Sequence, residues 1–138
     1  MIQFFIEDVA FKVPQSRKTK TWLQSIIKAE GFALNQLNYI FCSDEYLLNV
    51  NRQYLEHDFY TDIITFDNSE DENLIEGDIF ISIDRVKENA QELQKPFEEE
   101  LHRVLAHGIL HLVGYDDIED AQEQEMRNKE DFYLHIRN

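Results

Sequence analysis

Apolar residues follow two different spacings along the chain, and these spacings separate predicted strands from predicted helices. Dense or alternating apolar runs rich in Phe, Ile and Val predict strands at residues 3–13, 37–42, 63–66 and 77–83. Apolar residues that recur every three to four positions predict helices at residues 16–30, 43–54, 84–94, 96–113 and 119–136. The pattern therefore predicts a single α+β domain over residues 1–138, with a mixed sheet covered by several helices.

Residues at the boundaries of these elements favour the same assignment. Ser16 and Ser43 can each cap the helix that follows through a side-chain hydroxyl. Gly31 can end the first helix, because glycine readily adopts the left-handed conformation found at helix ends. Pro96 suits the first turn of a helix, where its missing N–H costs nothing. The acidic stretch 67–76 predicts a solvated loop between two paired strands.

The composition predicts a globular protein of the cytoplasm. At 138 residues and 43% hydrophobic content, the chain is long enough to bury one core. It has no apolar run near the roughly 20 residues of a membrane-spanning helix, and its acidic N-terminal stretch does not resemble a signal peptide. The single cysteine, Cys42, excludes an internal disulfide and suits a reducing compartment. Because Cys42 lies in an apolar run, we interpret it as a buried side chain and not as a nucleophile.

The formal net charge of −15 limits the partners that charge alone could attract. A strongly acidic chain repels nucleic acid and anionic membranes at long range, so neither DNA nor a membrane is an expected partner. Positive charge is concentrated near the N-terminus, at Lys12, Arg17, Lys18, Lys20 and Lys28. We interpret these residues as a solvated helix face in preference to an RNA-contacting patch.

The most informative spacing in the chain is H-x3-H-x2-G-x2-D, from His107 to Asp117. His107 and His111 are four residues apart, so a helix places both imidazoles on one face, about 6 Å apart along its axis. Gly114 can end that helix and turn the chain back, which returns Asp117 to the histidine face as a third ligand. Three protein ligands and an open fourth position are typical of a catalytic zinc site, and other divalent metals are compatible.

The surroundings of the motif refine this prediction. Apolar residues cover most of the helical wheel, so the two histidines project into a partly enclosed site, in the sector that Glu100 and Arg103 share. The third ligand has several acidic competitors, and the register selects Asp117 from Asp116, Asp117, Glu119 and Asp120. Their alternative role is to begin the last helix, where carboxylates complement the helix dipole. The remaining histidines are interpreted as surface or supporting residues: His57, His102 and His135.

Three ordered blocks of sequence resemble the motifs of one protein family. Residues 107–117 read HGILHLVGYDD, which is similar to H-G-x-L-H-L-x-G-Y-D-H. Residues 51–66 contain NRQY, Asp58 and TDIITF, which are similar to N-x-x-Y…D-x-x-T-D-V-L-S-F. Residues 77–82 read GDIFIS, similar to G-D-I-x-I-S. The chain therefore resembles the YbeY family of bacterial rRNA maturation factors, which are metal-dependent single-strand endoribonucleases.

The resemblance implies an α+β fold, a cytoplasmic location and one bound Zn²⁺. It also implies zinc-assisted cleavage of single-stranded rRNA, in the 3′-end maturation of small-subunit rRNA and in ribosome quality control. The ribosomal small subunit is then an expected partner. The residues leave open the general base, the nucleophile and the oligomeric state.

Two positions depart from the family pattern. Asp117 stands where the family has a third histidine. Aspartate is an acceptable zinc ligand, but its negative charge should make the site acidify water less and attract phosphate less strongly. Leu55 stands where the family commonly has arginine. Arg52, one helical turn earlier on the same face, could substitute for it, although a surface arginine is the favoured interpretation.

Two other functions stay open at this point. The ligand spacing is also that of a class of zinc metallopeptidases, but those enzymes have glutamate directly after the first histidine, where this chain has Gly108. Peptide hydrolysis is therefore the least favoured function. The other alternative is a non-catalytic ribosome-assembly or binding module that zinc stabilises, which the −15 charge and the missing arginine would suit.

Overall fold

Strands and helices are intermingled along the computed structural model, which describes residues 1–137. The strands are β1 (Ile2–Ile6), β2 (Ala33–Cys42), β3 (Ile63–Asp67) and β4 (Leu74–Ser82). The helices are α1 (Ser16–Ala29), α2 (Asp44–Leu55), α3 (Ile83–Glu92), α4 (Phe97–Leu112) and α5 (Asp120–Arg137). The predicted α+β class, with one mixed sheet and several helices, is confirmed. Within residues 1–137, no helix has the length and apolar content needed to cross a membrane.

The sheet has the strand order β1-β2-β4-β3. β1 runs parallel to β2, and β2 runs parallel to β4. β3 pairs antiparallel with β4, so the acidic segment between them closes a hairpin as predicted. Parallel neighbours need a crossover connection, and α1 provides one between β1 and β2.

One face of the sheet packs against α4 and α1 and holds the main core. Tyr39 of β2 is fully buried there, and its hydroxyl donates to the carbonyl oxygen of Leu105 at 2.8 Å. Gly108 of α4 faces the sheet, because a Cβ at that position would lie 2.8 Å from the Cδ1 atom of Ile79 and 3.1 Å from that of Ile63. The missing side chain lets α4 approach β3 and β4 closely and fixes the direction in which the flanking residues point.

The opposite face carries a smaller core under α2, formed by Cys42, Leu47, Val50 and Ile64. Cys42 has no exposed surface, and burial raises the pKa of its thiol to about 12. The side chain is therefore buried, as predicted, and the thiol stays protonated at neutral pH.

The predicted strand at residues 3–13 is wrong beyond Ile6. Its partner β2 ends at Cys42 and the chain enters α2, so the later residues have no neighbouring strand with which to pair. Their apolar side chains pack on the core without regular structure, with Val13 buried and Phe11 against Phe41. The apolar pattern reflects burial of these side chains, and a segment can be buried without pairing as a strand.

Two strands are longer than predicted because they support each other. β2 begins at Ala33 instead of Leu37, and β4 begins at Leu74 instead of Gly77. Ala33 pairs with Leu74 in the parallel register, so the two extensions meet. Polar residues interrupt the apolar pattern in both extensions, so the pattern did not predict that the strands begin there.

The helix starts agree with the prediction at one position and differ at two. Ser43 caps α2, its Oγ accepting the N–H of Tyr46 at 3.1 Å. Ser16 does not cap α1, because Gln15 is the N-cap residue and its carbonyl accepts the N–H of Thr19. Pro96 lies one position before its predicted place, as the N-cap residue of α4 in an extended conformation.

Candidate metal centre

α4 brings two histidines to its C-terminal end, and the turn after it returns an aspartate to the same place. α4 ends at Leu112, and Gly114 follows in the left-handed conformation with a φ of 109°. The N–H of Tyr115 donates to the carbonyl of Leu110 at 3.0 Å, which closes the turn. This reversal brings Asp117 back to His107, as the sequence predicted.

The three side chains meet at a single point. The Nε2 atoms of His107 and His111 are 2.9 Å apart. The Oδ2 atom of Asp117 lies 3.5 Å from Nε2 of His107 and 3.7 Å from Nε2 of His111. Among residues 1–137, these three form the one group of histidine, cysteine and acidic side chains whose donor atoms could share an ion, all within 4.8 Å of each other.

Hydrogen bonds to the other ring nitrogens fix the protonation of both imidazoles. Nδ1 of His107 lies 2.7 Å from the Oε2 atom of Glu130, which is acceptor-only as a carboxylate. Nδ1 of His111 lies 3.0 Å from the carbonyl oxygen of Tyr115, which can only accept. Each neutral ring therefore carries its proton on Nδ1, and both Nε2 lone pairs are directed to the meeting point.

This donor set fits a divalent cation. Two unprotonated Nε2 atoms at 2.9 Å repel each other unless a positive charge lies between them or one ring takes a second proton. A tetrahedral zinc site with bonds of 2.0–2.1 Å separates its ligand atoms by roughly 3.3 Å. The three observed separations lie on both sides of that value. The chemistry of the donors and their spacing thus match a site for one ion.

The two histidines respond differently to their surroundings. Burial alone would lower the pKa of His107, but the hydrogen bond and negative charge of Glu130 outweigh it and raise that pKa. Burial lowers the pKa of His111, and the charge of His107 lowers it further. Glu130, itself largely buried, keeps a lowered pKa because hydrogen bonds from His107 and Arg103 offset its burial. The Glu130 carboxylate therefore influences the pKa of His107 more strongly than the pKa of His111.

A cavity of about 350 Å³ opens beside the cluster, with His107 and Asp117 in its wall. Its acidic lining residues are Asp62, Glu100, Asp117, Glu123 and Glu130, and its basic ones are Arg103 and Arg127. Burial raises the pKa of Asp62 and of Glu100. The cavity therefore gives access from solvent to two of the three donor residues, His107 and Asp117.

Sequence reasoning did not find Glu130, which lies on α5. It is 5% exposed and lies on the buried stripe of α5, between Met126 and Tyr133. A glutamate on an apolar helical stripe was the signal that could have identified it, because a buried carboxylate needs a partner. Arg103 provides a second partner, with Nη1 2.8 Å from Oε1 of Glu130.

The segment after α4 is also held by contacts that lie away from the three donor atoms. The hydroxyl groups of Tyr115 and Tyr133 both donate to the buried carboxylate of Glu30, and Lys129 pairs with it at 3.3 Å. These bonds lower the pKa of Glu30 despite the opposing effect of burial. The carbonyl of Tyr115 that accepts from His111 is thereby held by contacts with α1 and α5.

The acidic residues that competed with Asp117 do not join the cluster. Asp116, Glu119 and Asp120 lie near the turn or at the start of α5, but none is within reach of both histidines. The spacing of Asp117 from the two histidines in the sequence was therefore enough to select it from the nearby acidic residues.

The other histidines lie away from the cluster. His57 stacks on Phe59 in the connection after α2, and His135 is exposed on α5. His102 was expected to be a surface or supporting residue, and it is half-buried against the edge of Trp22. Burial, followed by the charges of Arg137 and Lys18, lowers the pKa of His102 to about 4.

Arg52 is engaged elsewhere. Its Nε atom lies 2.5 Å from Oδ1 of Asp58, and it does not line the cavity. The position of Arg52 thus agrees better with a surface arginine than with a residue that replaces the family's arginine at position 55. The N-terminal basic residues lie on and before α1, where most are exposed and Lys20 lies 5.0 Å over the ring of Phe4.

Comparison with known proteins gives the same family throughout. The family model described as Endoribonuclease YbeY matches residues 3–138. Endoribonuclease YbeY of Cytophaga hutchinsonii is 57% identical over 136 residues, covering 99% of this chain and 95% of that protein. The protein of the same name from Flavobacterium psychrophilum is 50% identical, with 99% of this chain and 96% of that protein covered.

A solved structure shares the fold. The solution structure of TM1509 from Thermotoga maritima superposes with a TM-score of 0.70 at 34% sequence identity. The match covers 99% of this chain and 89% of that one. Sequence and structure comparisons agree over nearly the full length, and this chain belongs to the YbeY endoribonuclease family.

Proposed function

We propose that this protein is a metal-dependent endoribonuclease that cleaves single-stranded RNA, with small-subunit rRNA as its substrate. The observation that carries the proposal is the convergence of His107, His111 and Asp117, two of which, His107 and Asp117, line an open cavity. Membership in an endoribonuclease family supports the reaction class. The resemblance to rRNA maturation factors supports 3′-end maturation, the ribosomal small subunit as partner and a cytoplasmic location.

Zinc is the ion that the donor set favours. Two imidazole nitrogens and one carboxylate oxygen form a common set of three protein ligands in catalytic zinc sites, which keep a further position open. When bound, such an ion supplies Lewis-acid polarisation of a phosphodiester and a lower pKa for water. The single carboxylate among the donors reduces the positive charge of the site, relative to one with three neutral imidazoles.

The protein's own groups orient the donors. Glu130 holds the proton of His107 at Nδ1, and the carbonyl of Tyr115 does the same for His111. Arg103 pairs with both Glu130 and Asp131, which fixes the Glu130 carboxylate in turn. The rings therefore need little rearrangement to present their Nε2 atoms.

The position of Gly108 argues against peptide hydrolysis. A metallopeptidase of this ligand spacing needs a glutamate there to activate water. In this fold residue 108 faces Ile63 and Ile79, and even a Cβ would lie within 2.8 Å of a neighbouring atom. A carboxylate at residue 108 would thus point into the core and away from the donors.

Exposed aromatic residues at the end of α2 and in the segment after it suit an unpaired RNA strand. Tyr54, Phe59 and Tyr60 are 65%, 55% and 47% exposed, in and after the end of α2. The same connection continues to Asp62 in the cavity wall. Aromatic faces stack on unpaired bases and cannot reach bases inside a duplex, which supports a single-stranded substrate.

The proposal predicts that the zinc-loaded protein cleaves a fluorescent single-stranded oligoribonucleotide and leaves casein intact. EDTA should stop the cleavage, and added zinc should restore it. A duplex of the same RNA sequence should be cleaved more slowly, because its bases are already stacked. Gel electrophoresis of both substrates, with and without EDTA, gives the measurement.

Three results would contradict the proposal. Hydrolysis of casein would favour a peptidase, and RNA cleavage that persists in EDTA would remove the role of the metal. If no RNA is cut while metal-free protein still binds ribosomal small subunits, a non-catalytic binding module is the better description.

The proposal also predicts that Glu130→Gln weakens zinc binding by roughly 10- to 100-fold, the usual effect of losing a carboxylate that orients a ligating histidine. The amide cannot supply the negative charge that now supports His107. Competition with a fluorescent zinc chelator measures the change. Asp131→Asn is the matched control, because Asp131 pairs with Arg103 but does not touch His107. Equal affinities for Glu130→Gln and the wild type would remove Glu130 from the site.

A further inference from the structure

Arg127 is an arginine of the cavity wall whose charge is not used within the protein. It lies on α5, it is exposed, and it lines the same cavity as His107 and Asp117. Within the described part of the chain, its guanidinium makes no ion pair, side-chain hydrogen bond or ring contact. The five donors of that group are therefore available to a ligand in the cavity.

The other arginine of the cavity, Arg103, has both terminal nitrogens paired with carboxylates. Nη1 of Arg103 lies 2.8 Å from Glu130, and its Nη2 lies 2.7 Å from Asp131. Its side chain is only 14% exposed, so it has little freedom to turn toward a ligand. The Nε atom of Arg103 has no hydrogen-bond partner among the residues that the structure describes, but it is buried. Of the two arginines, Arg127 is therefore the one whose donors are accessible to an incoming group.

The charge around the cavity favours a further cation, besides the metal, for a polyanionic substrate. Acidic residues outnumber arginines in its wall, and the whole chain carries a formal charge of −15. A phosphodiester that approaches this wall is repelled unless a local cation offsets the field. An arginine can bind phosphate oxygens with two parallel hydrogen bonds, which also fixes the orientation of the strand.

We propose that Arg127 binds a backbone phosphate of the RNA in this cavity, beside the phosphodiester that is cut. This inference rests on the proposed nuclease function and adds a phosphate subsite on α5. Arg127 acts on the affinity for the strand and on its placement, since it is not among the converging donor groups.

The experiment compares Arg127→Gln and Arg127→Lys with the wild type in two measurements. Steady-state cleavage of a fluorescent single-stranded oligoribonucleotide by zinc-loaded protein gives KM and kcat. Fluorescence anisotropy of the same RNA with metal-free protein in EDTA gives Kd at several salt concentrations. Arg52→Gln is the matched control, because Arg52 is an arginine of equal charge that pairs with Asp58 outside the cavity.

For Arg127→Gln we expect KM and Kd to rise about tenfold, as for the loss of one exposed charged hydrogen-bonding group, with kcat within about twofold of the wild type. The slope of log binding constant against log salt should fall by about 0.7, the value for one phosphate contact on a single strand. Arg127→Lys should recover part of the affinity, and Arg52→Gln should behave as the wild type.

The inference is overturned if Arg127→Gln leaves Kd and the salt slope unchanged, or if Arg52→Gln has the same effect. Wild-type protein that binds RNA but cleaves none would overturn the proposed nuclease function, and the ratio of the two Kd values would still decide the role of Arg127. Wild-type protein that binds no RNA in EDTA and cleaves none when loaded with zinc would overturn both.

Discussion

His111→Ala is expected to lose stoichiometric zinc and, with it, all RNA cleavage. The substitution removes one of three converging donors and leaves only His107 and Asp117, whose donor atoms are 3.5 Å apart. Two protein ligands do not complete the set of three that catalytic zinc sites use. Elemental analysis of dialysed protein, with the RNA cleavage assay on the same samples, measures both losses.

His135→Ala is the control for this experiment. His135 is a histidine exposed on α5, outside the donor cluster, so its loss should change neither metal content nor cleavage. Urea unfolding of both variants in EDTA shows whether His111→Ala has lost only a metal ligand or has also lost its fold, because bound metal then stabilises neither variant. One tightly bound zinc per chain in folded His111→Ala protein would refute the proposed site.

The second large effect is expected from Gly77→Ala in β4, which should lower the free energy of unfolding by about 3 kcal/mol. A Cβ at residue 77 would lie 2.4 Å from the carbonyl oxygen of Phe66, a separation that real structures essentially never show. The obstacle is the backbone of β3 and not the end of a flexible side chain. β3 must therefore shift against β4, and it carries Ile63, which packs beside Gly108 of α4. Urea denaturation monitored by circular dichroism measures the change in midpoint.

Gly31→Ala separates this clash from the ordinary cost of losing a glycine. Gly31 has a φ of 84°, but no atom lies within 4 Å of its would-be Cβ. Its replacement should therefore cost only the strain of a left-handed alanine, about 1 kcal/mol. If the two variants unfold at the same urea concentration, the close approach of β3 to Gly77 has no energetic role.

The local part of the site could be predicted because its determinants are local. The four-residue separation of His107 and His111 fixes their common face, and Gly114 supplies the turn that returns Asp117. Each step depends on helix geometry or on one residue's backbone freedom. The same holds for Ser43, whose cap depends on atoms three residues apart.

The distant part could not be predicted, because it depends on how helices pack. Glu130 is 23 residues from His107, and it reaches Nδ1 only because α5 lies against α4. The same packing places Arg127 in the cavity wall, whereas Arg52 lies on α2 and pairs with Asp58. Periodicity shows which side of a helix is buried, but it does not show which other helix that side meets.

The strand errors have a related cause. An apolar run shows that a segment is buried, whereas a strand also needs a partner at the right register. Val9, Phe11 and Val13 pack on the core without a strand partner, whereas the start of β2 at Ala33 has a partner without a clear apolar pattern.

The place of Glu130 on α5 has a consequence for the order in which a newly made molecule matures. Synthesis proceeds from the N-terminus, so all four strands, which end at Ser82, leave the ribosome well before α5. The sheet and both histidines are present while the carboxylate that orients His107 is still being translated. A nascent chain that stops before residue 130 has both histidines but lacks the group that orients the imidazole of His107. Because loss of that carboxylate should weaken ion binding, we expect the centre to reach its full affinity only after the last helix has been translated.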